Sequence, residues 1–303
     1  MALSWIAVDW GTTNLRCWAI GAGDAVLAEA RSEKGMNALG REEFEPALLE
    51  LVEGWLPEGR TVLALACGTV GARQGWVEAP YTWLPAAPLA APHFRKAPVK
   101  DPRLNVFIIP GMARRDPADV LRGEETQIAG LLAERPGFEG TVCLPGTHSK
   151  WAKVEGGQVR DFTTYITGEL FSLLERRSIL RHSMNLAGFD QNVFKATVTE
   201  ALAVPDAMMA SLFSIRAEDL TQGLSPAAAR ARLSAYVIAA ELRAARKHWQ
   251  GREVFLLASG EIATLYETAL TGAGADARVI DSTPLTLLGL TAARALLGEM
   301  GNA

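Results

Sequence analysis

A chain of 303 residues, 49% hydrophobic and 21% charged, has the balance of a globular protein and the length for about two domains. Its net charge of −4 supplies no overall field for nucleic acid or an anionic membrane, so an anionic substrate must be held by local groups. The three cysteines lie in or beside apolar runs without metal-ligand spacing, which excludes a disulfide framework and favours a reducing compartment.

The chain opens on an apolar run, Trp5-Ile6-Ala7-Val8, followed by the polar turn Asp9-Trp10-Gly11-Thr12-Thr13-Asn14-Leu15-Arg16 and a second apolar run from Cys17 to Ile20. That pattern predicts strand, tight turn, strand. A third strand is expected at 26–31, a helix at 42–55 with Phe44, Leu48, Leu49, Val52 and Trp55 at helical spacing, and a buried strand at 62–66 that ends in Cys67-Gly68-Thr69-Val70-Gly71. Six prolines between Pro80 and Pro102 forbid regular structure there and predict an ordered loop. A strand at 106–109 and a connecting helix at 125–134 close the first lobe. Pro136-Gly137 breaks that helix, and a second lobe begins near Gly140.

The second lobe repeats the opening pattern. Val142-Cys143-Leu144 leads into Pro145-Gly146-Thr147-His148-Ser149-Lys150 and then Trp151-Ala152-Lys153-Val154. A shift of about 135 positions lays Gly11 on Gly146, Thr12 on Thr147 and Gly21 on Gly156. Next come a strand at 159–164, a helix-rich region at 169–247, a buried strand at 253–258 running into Ser259-Gly260-Glu261, a helix at 262–270, a strand at 278–280 and a helix at 284–297. In the alanine-rich run 226–246, Leu233, Val237, Ile238, Leu242 and Ala245 line one helix face, the pattern of a packing helix.

Glycine lets backbone N–H groups approach an anion closely, and Thr12 and Thr13 can donate to phosphate oxygens. Asp9 can hold hydrated magnesium, which takes a few carboxylates plus water and phosphate. A plain polar hairpin turn is the alternative for each copy alone. Taken together, two such hairpins would grip a nucleotide from two sides. Leu144 stands where Asp9 has its counterpart, so the metal belongs to the first lobe. A neutral His148 can donate to phosphate. The glycine turn at Gly260, between a strand and a helix N-terminus, suits a polar part of a nucleotide.

Between the lobes lies Arg122-Gly123-Glu124-Glu125-Thr126-Gln127. Two carboxylates at a helix start satisfy the helix dipole; one of them could also accept a proton from an attacking hydroxyl. Neighbours on a helix point about 100° apart, so only one faces the substrate. Arg122 either binds an anionic substrate or pairs with a glutamate. A P-loop, a His-Glu-x-x-His zinc site and a G-x-S-x-G elbow are all missing from the sequence. The amino-terminal residues lack the features of a signal peptide, and no apolar run reaches the roughly 20 residues of a membrane helix, so cytoplasm is expected.

The chain resembles the acetate/sugar kinase, Hsp70 and actin superfamily, and within it the 2-dehydro-3-deoxygalactonokinase family. The blocks at 9–16, 122–127 and 145–151, together with Thr167-Gly168-Glu169-Leu170, carry that resemblance in order and spacing over essentially the whole chain. It implies an α/β fold of two ribonuclease-H-like lobes, mixed sheets flanked by helices, with an interlobe nucleotide cleft. The lobes are expected at 1–136, joined by a C-terminal helix at 284–303, and at 137–283.

The resemblance implies transfer of the ATP γ-phosphoryl group to the 6-hydroxyl of 2-dehydro-3-deoxy-D-galactonate, in galactonate catabolism, with ATP and Mg2+ as cofactors. Glu124 is expected to act as base because it occupies the place of a Gly-Asp block in related sugar kinases, and Asp9 to hold the metal. Gly11, Thr12, Thr13, Arg16, Gly146, Thr147, His148, Ser149 and Gly260 are expected at the nucleotide. Gly35, Met36, Gly68, Arg122, Lys150 and Trp151 are expected at the substrate. The partner is a small-molecule sugar acid, with no nucleic acid and no membrane; a homo-oligomer stays open. The rival readings are a phosphate-ester or polyphosphate hydrolase on the same scaffold and a non-enzymatic sugar- or nucleotide-responsive regulator.

Overall fold

The computed structural model describes residues 2–184, 188–204 and 208–301. Residues 185–187 and 205–207 of the expected helix-rich region and 302–303 of the expected C-terminal segment lie outside them. The chain forms two compact units, one of Met1–Glu139, Val154–Asp161 and Ser282–Ala303, the other of Gly140–Lys153 and Phe162–Asp281.

In the first unit, β1 (Trp5–Trp10) is apolar on both faces, as a strand covered on both sides must be. Alternation splits its side chains. Ile6, Val8 and Trp10 enter one core, and Trp5 and Ala7 enter another. β2 (Leu15–Ile20) and β3 (Val26–Ser32) follow as an antiparallel meander. The amphipathic helix α1 (Phe44–Val52) buries Phe44, Ala47, Leu48 and Val52 against the first of these cores. β4 (Val62–Cys67) then lies parallel to β1.

Two short strands interrupt the proline-rich segment, β5 (Tyr81–Trp83) and β6 (Arg95–Lys96), contrary to the expectation of a wholly irregular loop. Each is the terminal strand of its sheet, where a neighbouring proline's missing N–H breaks no ladder. β7 (Leu104–Ile108), β8 (Gly111–Arg114), β9 (Asp119–Leu121) and helix α2 (Glu124–Glu134) complete this part. The main sheet runs β3-β2-β1-β4-β7-β6; a small one runs β5-β8-β9.

The second sheet starts with β10 (Gly140–Leu144), β11 (Ser149–Glu155) and β12 (Gln158–Tyr165), the stretch Val154–Asp161 around the β11–β12 turn being grouped with the first unit. Gly156 and Gly157 turn the β11–β12 hairpin with φ of +59° and +70°, the pair a two-residue type I′ turn requires. Helices α3 (Thr167–Arg177), α4 (Gln191–Ala203), α5 (Met208–Gln222), α6 (Pro226–Ala244) and α7 (Arg246–Trp249) come next. β13 (Glu253–Leu257), α8 (Gly260–Gly272) and β14 (Asp276–Ile280) finish the unit. The Ser225 side chain accepts the Ala228 N–H, with Pro226 opening α6, a strong start for a long helix. Leu233, Val237, Ile238, Leu242 and Ala245 all lie in the core, as their spacing predicts.

The sheet of this unit runs β12-β11-β10-β13-β14. Both sheets thus begin third, second, first, fourth and add one further parallel strand, β7 in the first and β14 in the second, the ribonuclease-H-like arrangement, with β6 an extra edge strand of the first sheet; the internal repeat is a duplicated sheet. The last helix, α9 (Ser282–Gly301), belongs to the first unit and packs on α2. A Cβ on Gly130 would strike the Leu285 carbonyl, and one on Gly289 the Thr126 carbonyl, so the two helices meet backbone to backbone.

Candidate active site

In the first unit, strand register assembles the carboxylate site. Asp9 lies directly opposite Arg16 on β2 and Cys67 on β4. The Cys67 thiol donates to Asp9 Oδ1 at 3.9 Å. Burial raises the proton affinity of Asp9, Arg16 and Cys67 oppose that rise, and the charge of Glu124 adds to it. Arg16 also sits 3.9 Å from Glu29 Oε1, with its guanidinium 5.5 Å from the Trp18 ring centre.

The hairpin after β1 closes through the Gly11 N–H, which donates to the Asn14 carbonyl at 2.9 Å. Thr13 is exposed, and its Oγ1 accepts from Asn14 Nδ2 at 3.0 Å. The next segment braces the loop. Gly35, Met36 and Asn37 donate their N–H groups to the carbonyls of Thr13, Gly11 and Thr12 at 3.2, 3.0 and 3.0 Å. A Cβ on Gly35 would run into the Thr13 backbone. Gly35 and Met36 thus hold the hairpin's carbonyls. Gly68, with φ of +96°, would place a Cβ 2.5 Å from the Trp10 carbonyl, and Gly123, with φ of +108°, one 3.2 Å from the Gly68 Cα. Their closeness joins the first hairpin to the start of α2.

There the two adjacent glutamates part ways. Glu125 is fully buried; its Oε2 accepts the Gly123 N–H at 2.7 Å and its Oε1 the Thr126 hydroxyl at 3.0 Å. Desolvation, reinforced by Glu124, pushes its pKa from 4.5 to about 7. Glu124 is only partly buried and accepts the Arg122 N–H at 2.9 Å. The Arg122 guanidinium lies 4.4 Å over the Tyr81 ring, and its Nη2 donates to the Ala79 carbonyl at 2.9 Å. Its Nε and Nη1 are buried without a hydrogen-bond partner. Two unsatisfied guanidinium donors are costly unless an anion meets them.

No group of three or more His, Cys, Asp and Glu side chains suited to a metal occurs among the described residues. Magnesium does not need one, since it keeps several waters and binds through one or two carboxylates plus phosphate. Asp9, with Glu124 close enough to perturb it, fits that demand.

In the second unit, Gly146 has open space where a Cβ would stand, whereas a Cβ on Gly168 would strike the Gly146 carbonyl. The start of α3 is thus laid on the hairpin, with the Glu169 N–H donating to the Thr147 carbonyl at 2.9 Å. His148 Nε2 pairs with Glu169 Oε2 at 2.5 Å. Three residues expected at the ligands are buried. Ser149 is fully buried, its Oγ 2.8 Å from the Tyr266 hydroxyl. Trp151 is fully buried and donates its indole N–H to Glu241 Oε1 at 2.8 Å. Lys150 is nearly buried and donates to the hairpin's own His148 carbonyl at 3.0 Å. β11 is an inner strand, and its first four residues, 149–152, are buried on both faces.

Gly260 opens α8 with φ of +64° and open space beside it. A cavity of about 160 Å³ in this unit is lined by Gly146, Phe171, Phe189, Arg230, Glu261 and Ile262, among others. Arg230 is held by Glu175 at 2.7 Å, with its guanidinium 5.7 Å from the Phe171 ring centre and 5.9 Å from that of Phe189. Sequence reading missed these aromatic and cationic walls. The one signal was the block Thr167 to Leu170, whose helix carries Phe171.

A duplicated ribonuclease-H-like sheet, the first strand of each copy leading into a Gly-Thr hairpin, places the chain in the actin-like ATPase and sugar-kinase fold class. A family model described as 2-keto-3-deoxy-galactonokinase matches residues 9–293. The chain belongs to this family and is a carbohydrate kinase. It is 39% identical over 301 residues to a Rhizobium meliloti protein named "Probable 2-dehydro-3-deoxygalactonokinase", covering 95% of each chain. It is 32% identical to the 2-dehydro-3-deoxygalactonokinase of Escherichia coli, covering 92% of this chain and 94% of the other. A crystal structure from Sinorhizobium meliloti, described with the same kinase name, superposes with a TM-score of 0.90 at 38% identity, over 97% of this chain and 96% of that one.

Proposed function

We propose that this kinase transfers the γ-phosphoryl group of ATP to the 6-hydroxyl of 2-dehydro-3-deoxy-D-galactonate, a step of galactonate breakdown in the cytoplasm. The names of the relatives support the sugar acid. The division of labour between the two glutamates carries the mechanism: Glu125 is sealed and spent on Gly123 and Thr126, while Glu124 keeps access to solvent.

In this reading Glu124 accepts the proton of the 6-hydroxyl as its oxygen attacks the γ-phosphorus and the ADP oxygen departs. Arg122 offers its two unpaired N–H donors to the substrate carboxylate. Gly11, Thr12 and Thr13 in one unit, and Gly146, Thr147 and His148 in the other, bind phosphate oxygens. The cavity beside Gly146 and Glu261 takes the nucleoside. Asp9 would hold magnesium, which neutralises phosphate charge when bound.

The test is a coupled kinase assay across a panel of 2-keto-3-deoxy sugar acids. ADP release that depends on the galactonate-derived acid supports the proposal; equal release without any sugar acid supports hydrolysis instead, and ATP binding without turnover supports a regulator. Glu124→Gln should slow turnover by about two to four orders of magnitude while ATP affinity holds. Near-normal turnover would remove Glu124 from the mechanism.

A further inference from the structure

Among the residues the mechanism leaves unused, Glu241 stands out as a carboxylate with 2% exposure inside a core of alanine, leucine and aromatic side chains. Burying a carboxylate costs several kcal/mol where a leucine would pack for nothing. The chain compensates with donors on both oxygens. Trp151 Nε1 donates to Oε1 at 2.8 Å, and the Tyr266 hydroxyl to Oε2 at 2.6 Å. The Thr167 hydroxyl also hydrogen-bonds to it, and Ser149 donates to the Tyr266 oxygen at 2.8 Å, since the Tyr266 hydrogen is given to Glu241. Burial pushes the proton affinity of Glu241 up, and these side chains push it back.

The origin of the donors is what matters. Ser149 and Trp151 follow the Gly146-Thr147 hairpin directly on β11. Thr167 opens α3, whose next residue, Gly168, lies against the Gly146 carbonyl. Tyr266 is on α8, the helix that Gly260 opens. Glu241 itself is on α6, which lends Ser234, Val237 and Ile238 to the wall of the 160 Å³ cavity. One side chain thus ties together the hairpin, its brace, the glycine turn and the cavity wall.

We infer that Glu241 is a positioning residue for the nucleotide: its carboxylate fixes the second phosphate hairpin and the Gly260 turn in mutual register, so that phosphate and nucleoside are held at once. The inference rests on the nucleotide reading above and adds to it a residue that touches no ligand.

The experiment compares Tyr266→Phe, which deletes one hydroxyl without changing the packing, with Glu241→Gln, which keeps the shape but not the charge. Losing a hydrogen bond to a charged group should raise KM for ATP by about tenfold or more. KM for the sugar acid should stay within twofold, because the first unit's residues are untouched. Thermal melting confirms that each variant is folded; should Glu241→Gln fail to fold, Tyr266→Phe alone decides. An unchanged KM for ATP in a folded variant overturns the inference, as does an equal rise in both KM values or a loss of kcat alone, the marks of a general loss of structure. A wild-type enzyme without saturable ATP dependence would instead overturn the nucleotide reading itself.

Discussion

Glu125→Gln isolates the cost of sealing an acid at the head of α2. Burial and the neighbouring Glu124 move this carboxyl from 4.5 to about 7, which corresponds to about 3 kcal/mol. The folded chain therefore keeps a proton that the unfolded chain has released between those pH values. Stability falls as pH rises across that window, and the whole penalty is present above pH 7. Glutamine fixes the neutral state. Its carbonyl can accept the Gly123 N–H, and its amide can donate to the Thr126 hydroxyl, which reverses to accept. Urea unfolding of both proteins, followed by tryptophan fluorescence from pH 4.5 to 8, should show the variant gaining on the wild type by about 3 kcal/mol as pH rises. A difference between the two that does not change with pH would refute the reasoning.

Gly168→Ala forces a methyl group into the Gly146 carbonyl and should cost about 1–3 kcal/mol of stability while raising KM for ATP, read by thermal melting and by titration with a non-hydrolysable analogue. Arg122→Lys loses the planar stack on Tyr81 and the forked donors, so KM for the sugar acid should rise by about tenfold or more with KM for ATP unchanged; an unchanged sugar-acid KM counts against a carboxylate at this position. Gly289→Ala pushes α9 off the Thr126 carbonyl and should lower thermal stability by about 1–3 kcal/mol.

The fold was legible wherever a local pattern had a single physical solution. Alternation and glycine turns placed the first three strands of both units, and the offset between the Gly-Thr turns announced the duplicated sheet. Side-chain direction was not legible in β11, where Ser149, Lys150 and Trp151 are all buried and no alternation distinguishes core from surface. Chemistry made them look like ligand contacts; packing on both faces makes two of them core residues. The close approaches at Gly35 and Gly168 depend on segments far apart in sequence, so their glycines carried no local signature. The same holds for the Phe171–Phe189–Arg230 wall. Glu124 and Glu125 are the sharpest case: equal in type and adjacent in sequence, they separate only once burial assigns one to the interior.

The partnership of α2 with α9 has a consequence for biosynthesis. Gln127 donates to Thr286, 159 positions later, and the intervening stretch includes all of the second unit. A nascent chain leaving the ribosome can complete that unit while the helix bearing Glu124 still lacks its partner. The start of α2 is thus completed last, by a long-range docking event.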